Sequence, residues 1–242
     1  MTDRRIALVT GGSGGIGGAC ARVLAGQGFR VAVTYLSREE EARELARELG
    51  GRAYALDLRD RERIRELART VEEELGPVQV LVHSGGMIRD ALLPFLKEED
   101  WDTIQDVNLK GPVLLTKALI KGMLAARWGR VIAIASASGV IGQVGQTHYS
   151  AAKGGLIAFT KALAREVVRY GVTVNAVAPG LIDTEILAGV PEAKLAEHLK
   201  RVPMERLGRP EEVAGLVGYL ASEEGGYVTG QVLRVDGGLM MA

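Results

Sequence analysis

The chain has 242 residues, of which 47% are hydrophobic and 25% charged; this apolar content supports a sizeable buried core and excludes a disordered chain. Thirty basic residues balance thirty acidic ones, so charge gives no reason to expect binding to nucleic acid or to an anionic membrane. The single Cys20 excludes an internal disulfide and fits a reducing compartment. We find no signal segment and no apolar run near the ~20 residues of a membrane span, and we therefore expect a cytoplasmic protein.

Short apolar runs alternate with amphipathic segments along the whole chain. Continuous rather than alternating apolarity is typical of strands that are covered on both faces, as in a parallel sheet between helices. The runs are residues 6–9, 31–34, 80–82, 131–135, 172–177 and 232–235, with a shorter one at 54–56. No linker or repeat interrupts this order. It predicts one α/β domain over residues 1–242, with a Rossmann-type doubly wound parallel sheet.

Helix signals fall between these runs. Ser37 and Glu40 match a capping box at the start of an Arg/Glu-rich helix. Asp60 is placed to cap the next helix. Residues 100–124 and 148–170 predict two longer helices, which complete the alternation of strands and helices.

A glycine-rich segment follows the first predicted strand directly, with the sequence Thr10-Gly11-Gly12-Ser13-Gly14-Gly15-Ile16-Gly17. Glycines let the backbone turn sharply and approach a pyrophosphate, and the next helix supplies free N–H groups and the positive end of its dipole. A glycine turn without a ligand is the alternative. The order of strand, glycines and helix favours a dinucleotide site.

Tyr149 and Lys153 lie four residues apart in a predicted helix, so their side chains emerge on one face. An ammonium group beside a phenol stabilises the phenolate, and we therefore expect a lowered pKa for Tyr149. This spacing is common by chance. Ser136 changes the interpretation because it ends the preceding apolar run, at the edge where ligands bind in open α/β sheets.

Together these motifs resemble the short-chain dehydrogenase/reductase family. The residues that carry the resemblance are Thr10-Gly11-x-x-x-Gly15-Ile16-Gly17, Asn108, Ser136, Tyr149-x-x-x-Lys153 and Pro179-Gly180. The resemblance implies that Tyr149 is the general acid/base and that Ser136 orients the substrate carbonyl. It also implies that Lys153 holds the nicotinamide ribose and lowers the pKa of Tyr149, and that Asn108 belongs to a proton relay.

The expected cofactor is NADP, bound as NADPH, in preference to NAD. A NAD-specific member needs a carboxylate at the end of the second strand, where this chain has Ser37 and Arg38, which can bond a 2′-phosphate. Gly14 stands where many NADP-using members carry a basic residue, which moderates the preference. The expected cofactor-binding residues are Thr10, Gly11, Ser13, Gly15, Ile16, Gly17, Ser37, Arg38, Asp57, Leu58, Gly85, Tyr149, Lys153, Pro179, Gly180, Ile182 and Thr184; the resemblance assigns Asp57 to the adenine and Thr184 to the nicotinamide carboxamide.

Two side chains near these motifs leave alternatives open. Ser138 is either a second ligand of the carbonyl or a loop hydroxyl bonded to its own backbone, and we favour the second. His83 stands where the family has the first Asn of Asn-Asn-Ala-Gly, and we expect a hydrogen-bonded residue at a strand end rather than a base. The three His residues are scattered without ligand spacing, so we predict no metal site.

Three further segments resemble 3-oxoacyl-[acyl-carrier-protein] reductases and acetoacetyl-CoA reductases. They are residues 87–93, 145–153 and 228–238. This resemblance implies NADPH-dependent reduction of a 3-oxoacyl thioester, carried by acyl carrier protein or CoA, as in fatty acid biosynthesis. The alternatives are a dehydrogenase of another alcohol or ketone (a steroid, sugar or diol) and a non-catalytic nucleotide-binding regulator.

The same resemblance implies a homotetramer, with the apolar tail 239–242 at a subunit contact, and a mobile substrate lid at about 181–209. An acidic carrier protein would need basic residues near the mouth of the pocket. Arg127 and Arg169, each at the end of a predicted helix, are the candidates. The alternative is that each only complements the dipole of its helix.

Pro112 follows Asn108 by four residues. If a helix continues through Pro112, which has no N–H, the Asn108 carbonyl loses its usual partner. We therefore expect a kink at this place, with the carbonyl free to hold a water of the relay.

Overall fold

The computed structural model describes residues 4–241; residues 1–3 and Ala242, the last residue of the apolar tail, lie outside the described residues. Within this range, seven strands form one parallel sheet in the order β3-β2-β1-β4-β5-β6-β7. The strands are β1 (Ile6–Thr10), β2 (Arg30–Tyr35), β3 (Arg52–Ala55), β4 (Val78–His83), β5 (Gly129–Ile134), β6 (Val172–Pro179) and β7 (Val232–Val235). The predicted single α/β domain with a doubly wound parallel sheet is confirmed.

Helices cover both faces of the sheet. They are α1 (Gly15–Gly26), α2 (Glu39–Glu48), α3 (Arg61–Leu75), α4 (Glu98–Gln105), α5 (Gly111–Ala126), α6 (Ser138–Ile141), α7 (Thr147–Val167), α8 (Glu192–Leu199) and α9 (Pro210–Ala221). Successive strand residues point to opposite faces, so Leu8 packs in the core under α3, α5 and α7, while Val9 packs under α1, α2 and α9. Within residues 4–241, no helix is long and apolar enough to cross a membrane.

The strand order places a crevice beside β1. This strand pairs with β2 on one side and with β4 on the other, so the chain leaves the carboxyl edge in opposite directions from neighbouring strands. Open α/β sheets bind ligands at such a switch point. The glycine-rich segment follows β1 at this edge.

The predicted helix starts were right at one place and wrong at another. Asp60 caps α3, since its carboxylate accepts hydrogen bonds from the N–H groups of Glu62 and Arg63. The predicted capping box of Ser37 and Glu40 is wrong: α2 begins after Arg38, and no side chain bonds its first N–H groups. Three glutamates in the first turn complement the helix dipole instead.

The helix that carries Asn108 is wider than an α-helix around that residue. Residues 98–126 are helical throughout, but Asp106–Lys110 form a π-helical turn between α4 and α5. The N–H of Gly111 bonds to the carbonyl of Asp106, five residues earlier. Because Pro112 has no N–H to give to Asn108, the helix accommodates it by widening rather than by a simple kink. Whether the Asn108 carbonyl holds a water stays a prediction.

Segment 181–209 leaves the sheet after β6, and its two ends are hydrogen-bonded to each other. Asp183 N–H bonds to the Gly208 carbonyl at 2.9 Å, and Gly208 N–H bonds to the Leu181 carbonyl at 2.9 Å. Beyond this neck, α8 has no buried residue. The segment is thus anchored at its base and free of core packing along its helix, which is the construction that a lid needs.

Cys20 lies on α1 in the core beneath the glycine-rich segment. Burial raises the pKa of its thiol to about 12. It is a small packing residue.

Candidate active site

A cleft of about 960 Å³ opens at the carboxyl edge of the sheet. It gathers segments that follow six different strands, β1 to β6. The predicted residues that line it are Gly11, Ser13, Gly15, Ile16, Gly17, Ser37, Arg38, Asp57, Leu58, Gly85, Ser136, Tyr149, Lys153, Pro179, Gly180, Ile182 and Thr184. Two predicted residues, Thr10 and Asn108, are fully buried and lie behind its wall.

The start of the glycine-rich segment is closed against the end of β4. Gly11 has φ +67°, and a Cβ there would lie 2.7 Å from the Cα of Gly85, so only glycine fits. The Thr10 hydroxyl oxygen accepts the N–H groups of Ser84 and Gly85 at 3.1 and 3.0 Å. Thr10 therefore braces the loop from behind, where it does not face the cleft.

The donors in this cleft suit an anionic dinucleotide. Gly15 N–H and the Arg38 guanidinium each bond an oxygen of the Glu185 carboxylate, at 3.3 and 2.8 Å, so both can bind an anion. A Cβ at Gly17 would lie 2.2 Å from the Gly11 carbonyl oxygen, which shows how closely the backbone is folded at the start of α1. The residues present fit a pyrophosphate and a 2′-phosphate.

Asp57 lines the cleft just after the end of β3. Its carboxylate accepts from the Arg59 guanidinium at 2.6 Å and from the Arg59 N–H at 2.9 Å. These bonds hold the pKa of Asp57 below its usual value. The carboxylate is thus ionised and fixed in place.

Tyr149 lies on the floor of the cleft and is buried. Burial raises the pKa of Tyr149 to about 12; a hydrogen bond with Ser136 opposes this shift, and the charge of Asp90 adds to it. The predicted lowering of this pKa is therefore wrong for the structure described. The reason is that loss of hydration is large here, and the stabilisation of the phenolate by Lys153 is the weaker of the two effects.

The position of Lys153 explains that weakness. Its Nζ lies 5.7 Å from the centroid of the Tyr149 ring and donates to the Ile134 carbonyl at 2.8 Å. Burial also lowers the pKa of Lys153 to about 8. The ammonium thus faces the ring of Tyr149, and one of its three N–H groups donates to the last residue of β5.

Asn108 holds the loop that follows β4. Its Nδ2 donates to the carbonyls of Met87 and Ile104 at 2.9 and 3.1 Å, and its Oδ1 accepts the Met87 N–H at 3.3 Å. A Cβ at Gly86 would lie 2.7 Å from that Oδ1 and 3.5 Å from Lys153 Nζ. The side chain is fully engaged, so a relay through Asn108 would have to use its backbone carbonyl.

His83 is a hydrogen-bonded strand end, as expected. Its Nε2 lies 2.7 Å from the Thr116 hydroxyl, which donates its single proton to the Pro112 carbonyl at 2.9 Å. Nε2 therefore carries the imidazole proton, and Nδ1 is unprotonated and has no hydrogen-bond partner among residues 4–241. Burial, with the nearby charge of Lys153, lowers the pKa of His83 to about 3, so the ring is neutral.

Gln146 is a site residue that the sequence reasoning missed. Ser138 donates to Gln146 Oε1 at 2.8 Å, and Gln146 Nε2 donates to Asp90 at 3.0 Å. Ser138 is therefore bonded to a side chain, which neither expectation for it foresaw. The available signal was spacing, since Gln146 precedes Tyr149 by three residues at the start of α7.

Arg127 and Arg169 come together, but not at the mouth of the cleft. Arg127 Nη2 donates to the Arg169 carbonyl at 3.2 Å, and both residues are exposed. They precede the first residues of β5 and β6, whereas Ser136 follows the last residue of β5. Six strand residues at about 3.3 Å each separate these levels by roughly 20 Å. The expectation of a position near the pocket mouth of the same subunit is wrong, because helices that follow strands end at the opposite edge.

Among the side chains of residues 4–241, no group of three His, Cys, Asp or Glu is arranged to hold a metal ion.

Comparison with known proteins shows the lineage of the chain. A family model described as enoyl-(acyl carrier protein) reductase matches residues 11–240. The chain is 43% identical over 241 residues to the 3-oxoacyl-[acyl-carrier-protein] reductase FabG of Vibrio cholerae, covering 99% of this chain and 98% of that one. It is 40% identical over 243 residues to the FabG of Thermotoga maritima, covering 99% of each. It is also 40% identical over 235 residues to the acetoacetyl-CoA reductase of Shinella zoogloeoides, covering 97% and 98%.

Proposed function

The chain belongs to the short-chain dehydrogenase/reductase family, and from this premise we propose that it reduces the 3-oxo group of an acyl thioester to a 3-hydroxy group with NADPH. The observation that carries the proposal is that Ser136, Tyr149 and Lys153 lie together on the floor of the cleft that contains the glycine-rich segment. The names of the relatives support the substrate class, because both kinds of reductase act on a thioester with a 3-oxo group.

The proposed cofactor residues divide the cleft between them. When bound, the nicotinamide supplies a hydride to the carbonyl carbon. Gly15 and the start of α1 would hold the pyrophosphate, and Ser37 and Arg38 the 2′-phosphate. The other assignments are Asp57 for the adenine, Tyr149 and Lys153 for the nicotinamide ribose, and Thr184 for the carboxamide.

Tyr149 is the proposed proton donor. With a pKa of about 12, the phenol is protonated near neutral pH, so it can give its proton to the carbonyl oxygen as the electron pair of the C=O bond moves there. Ser136 accepts the N–H of Ser138 at 3.2 Å, so its hydroxyl proton is available to turn from the phenol oxygen of Tyr149 to the same carbonyl oxygen. The phenolate that forms is stabilised by the Lys153 ammonium, which is charged below a pH of about 8.

A carrier-protein substrate extends this proposal and requires an oligomer. The exposed Arg127–Arg169 pair suits an acidic partner, but it lies at the edge of the sheet opposite the cleft. A carrier docked there would serve the cleft of a neighbouring subunit, as in the proposed homotetramer. Of the described part of the apolar tail, Met240 is buried within its own chain, Leu239 is partly buried and Met241 is 76% exposed, so Met241 offers the most apolar surface to a partner.

Steady-state kinetics on a panel of substrates tests the function and its alternatives. Acetoacetyl-CoA probes the C=O bond, crotonyl-CoA probes the C=C bond named by the family model, and steroid, sugar and diol substrates probe other dehydrogenases, each with NADPH and with NADH. We expect the highest kcat/KM for acetoacetyl-CoA with NADPH. A higher value for crotonyl-CoA or for another alcohol would contradict the proposal, and no turnover of any ketone would favour a regulator. Cytoplasmic localisation and the tetramer are separate proposals; light scattering of purified protein tests the tetramer.

A further inference from the structure

The two anion donors of the proposed cofactor site are bound by a carboxylate of the chain itself. Glu185 Oε2 accepts the Gly15 N–H at 3.3 Å, and Glu185 Oε1 accepts from Arg38 Nη1 at 2.8 Å. These donors belong to the start of α1 and to the residue that precedes α2, while Glu185 is on segment 181–209. One side chain therefore bridges three separate parts of the cleft.

The bond partners make this carboxylate a competitor of phosphate. A helix N-terminus and a guanidinium group both favour an anion, whether it is a carboxylate or a phosphate. Arg38 also lowers the pKa of Glu185, so the carboxylate is charged at neutral pH. A phosphate that takes the Gly15 N–H or Arg38 Nη1 must displace Glu185 from that donor. A phosphate that uses the other N–H groups of Arg38 would lie beside the carboxylate, which would repel it.

We propose that Glu185 is a specificity-determining residue, which competes with the phosphates of the cofactor for Gly15 and Arg38. This inference rests on the proposed function, because it assumes that a nicotinamide dinucleotide binds in the cleft. Both dinucleotides carry a pyrophosphate and meet the competition at Gly15. Only NADPH carries the 2′-phosphate that needs Arg38, so the competition weakens the binding of NADPH more than the binding of NADH.

The exposure of the ion pair sets the size of the effect. The side chains of Arg38 and Glu185 are 37% and 57% exposed, and exposed ion pairs are weak. The neck formed by Leu181, Asp183 and Gly208 offsets part of this weakness. It keeps Glu185 near its partners at a high effective concentration. We expect removal of the charge to strengthen NADPH binding by about threefold to tenfold and NADH binding by about twofold or less.

Titration calorimetry of the purified protein tests the proposal without turnover. The Kd values of NADPH, of NADH and of adenosine 2′,5′-bisphosphate are measured for the wild type, Glu185→Gln and Glu192→Gln. Glu192→Gln removes the same charge from the same segment, and among the described residues neither Gly15 nor Arg38 bonds to Glu192. Glu185→Gln should tighten NADPH and the bisphosphate more than NADH, and Glu192→Gln should leave all three unchanged.

A double-mutant cycle isolates the contact with Arg38. In an Arg38→Ala background, Glu185→Gln should give NADPH no larger gain than it gives NADH, because only the contact at Gly15 remains. Unchanged or weaker binding of NADPH to Glu185→Gln would overturn the competition, as would equal gains from Glu185→Gln and Glu192→Gln. Failure of the premise, a nicotinamide dinucleotide in the cleft, gives a different result, since the wild type would then bind neither dinucleotide. Failure of the substrate assignment alone is seen in the kinetic panel and leaves these Kd values unchanged.

Discussion

The floor and the rim of the cleft differ in how their charges are held. On the floor, Tyr149 and Lys153 are buried, and loss of hydration moves their pKa values to about 12 and about 8. At the rim, Arg38 and Glu185 form an ion pair open to solvent. The floor therefore has a few polar groups whose pKa values are strongly shifted by burial. The rim has charges that solvent screens.

This difference separates two functions of one cleft. Chemistry needs groups whose protonation is tuned, and tuning by several pKa units needs burial. Recognition of phosphates needs charges that exchange partners, which is easier where water can replace each lost bond. We therefore expect substitutions on the floor to act mainly on kcat and substitutions at the rim mainly on KM and Kd.

The largest expected effect is that of Tyr149→Phe. It removes the proposed proton donor and keeps the ring, so kcat should fall by about 10²–10⁴-fold with little change in KM. Tyr54→Phe is the matched control, because that phenol bonds to Glu74 on the surface and its loss should leave kcat unchanged. Thermal unfolding of both variants checks that each is folded. A fall in kcat/KM that comes from KM alone would remove the distinction between floor and rim.

The next effect is the pH dependence of reduction. The pKa of Lys153 is lowered to about 8, so its ammonium is present below that pH and is lost as the pH rises through it. Tyr149 stays protonated over the same range because its pKa is about 12. We expect kcat for acetoacetyl-CoA to decline above a pH of about 8, towards a tenfold loss per pH unit if the charge is essential. Circular dichroism at each pH excludes unfolding, and a kcat that stays flat well above this pKa would contradict the role of the ammonium.

At the rim, Arg38→Ala should raise the KM for NADPH by about tenfold, since a charge-assisted hydrogen bond contributes about 1.5–3 kcal/mol and exposure reduces it. The KM for NADH should change much less. Arg43→Ala is the control, because its guanidinium pairs with Glu39 on the outer side of α2. Equal losses for both cofactors would show that Arg38 supports the loop and does not read the 2′-phosphate.

The smallest effect is expected far from the cleft. Arg127→Glu with Arg169→Glu should raise the KM for an acyl-carrier thioester by about threefold or more at low salt, and should leave acetoacetyl-CoA almost unaffected. Arg63→Glu with Arg65→Glu makes the same change of net charge on the exposed face of α3 and should have no such effect. If both pairs act alike, the effect belongs to net charge and not to docking.

Local sequence patterns predicted most of the strands and helices of the fold. Buried strands of a parallel sheet are continuous apolar runs in the sequence, so each predicted run overlaps an observed strand. The run at 54–56 overlaps β3, which spans Arg52–Ala55. The Asp60 cap was also visible, because a cap depends on neighbours in sequence. The same logic failed at Ser37, because the helix begins one residue later than predicted, with Arg38 at its N-cap. Pro112 indicated that the regular hydrogen bonding of the helix must be interrupted near Asn108. It did not indicate that the interruption would be a π-helical turn.

The site was less predictable where it depends on distant residues. Spacing brought Tyr149 and Lys153 together, but the sign of the pKa shift depends on burial under several elements. Gln146 joins Ser138 to Asp90, which lies 56 residues away, and Glu185 meets Arg38 across 147 residues. Propensity and periodicity have no access to such contacts. The same limit misplaced Arg127 and Arg169, whose location depends on which edge of the sheet each helix reaches.

The burial of Cys20 has a practical consequence for testing whether segment 181–209 moves as the predicted lid. With a pKa of about 12, its thiol is almost entirely protonated near neutral pH, and a protonated thiol reacts slowly with maleimides and with oxidants. The chain has no other cysteine. A cysteine introduced at an exposed position of α8, such as Lys194→Cys, would be the one reactive thiol and would accept a single fluorophore or spin label. The natural chain thus already provides the background in which movement of segment 181–209 can be followed in solution.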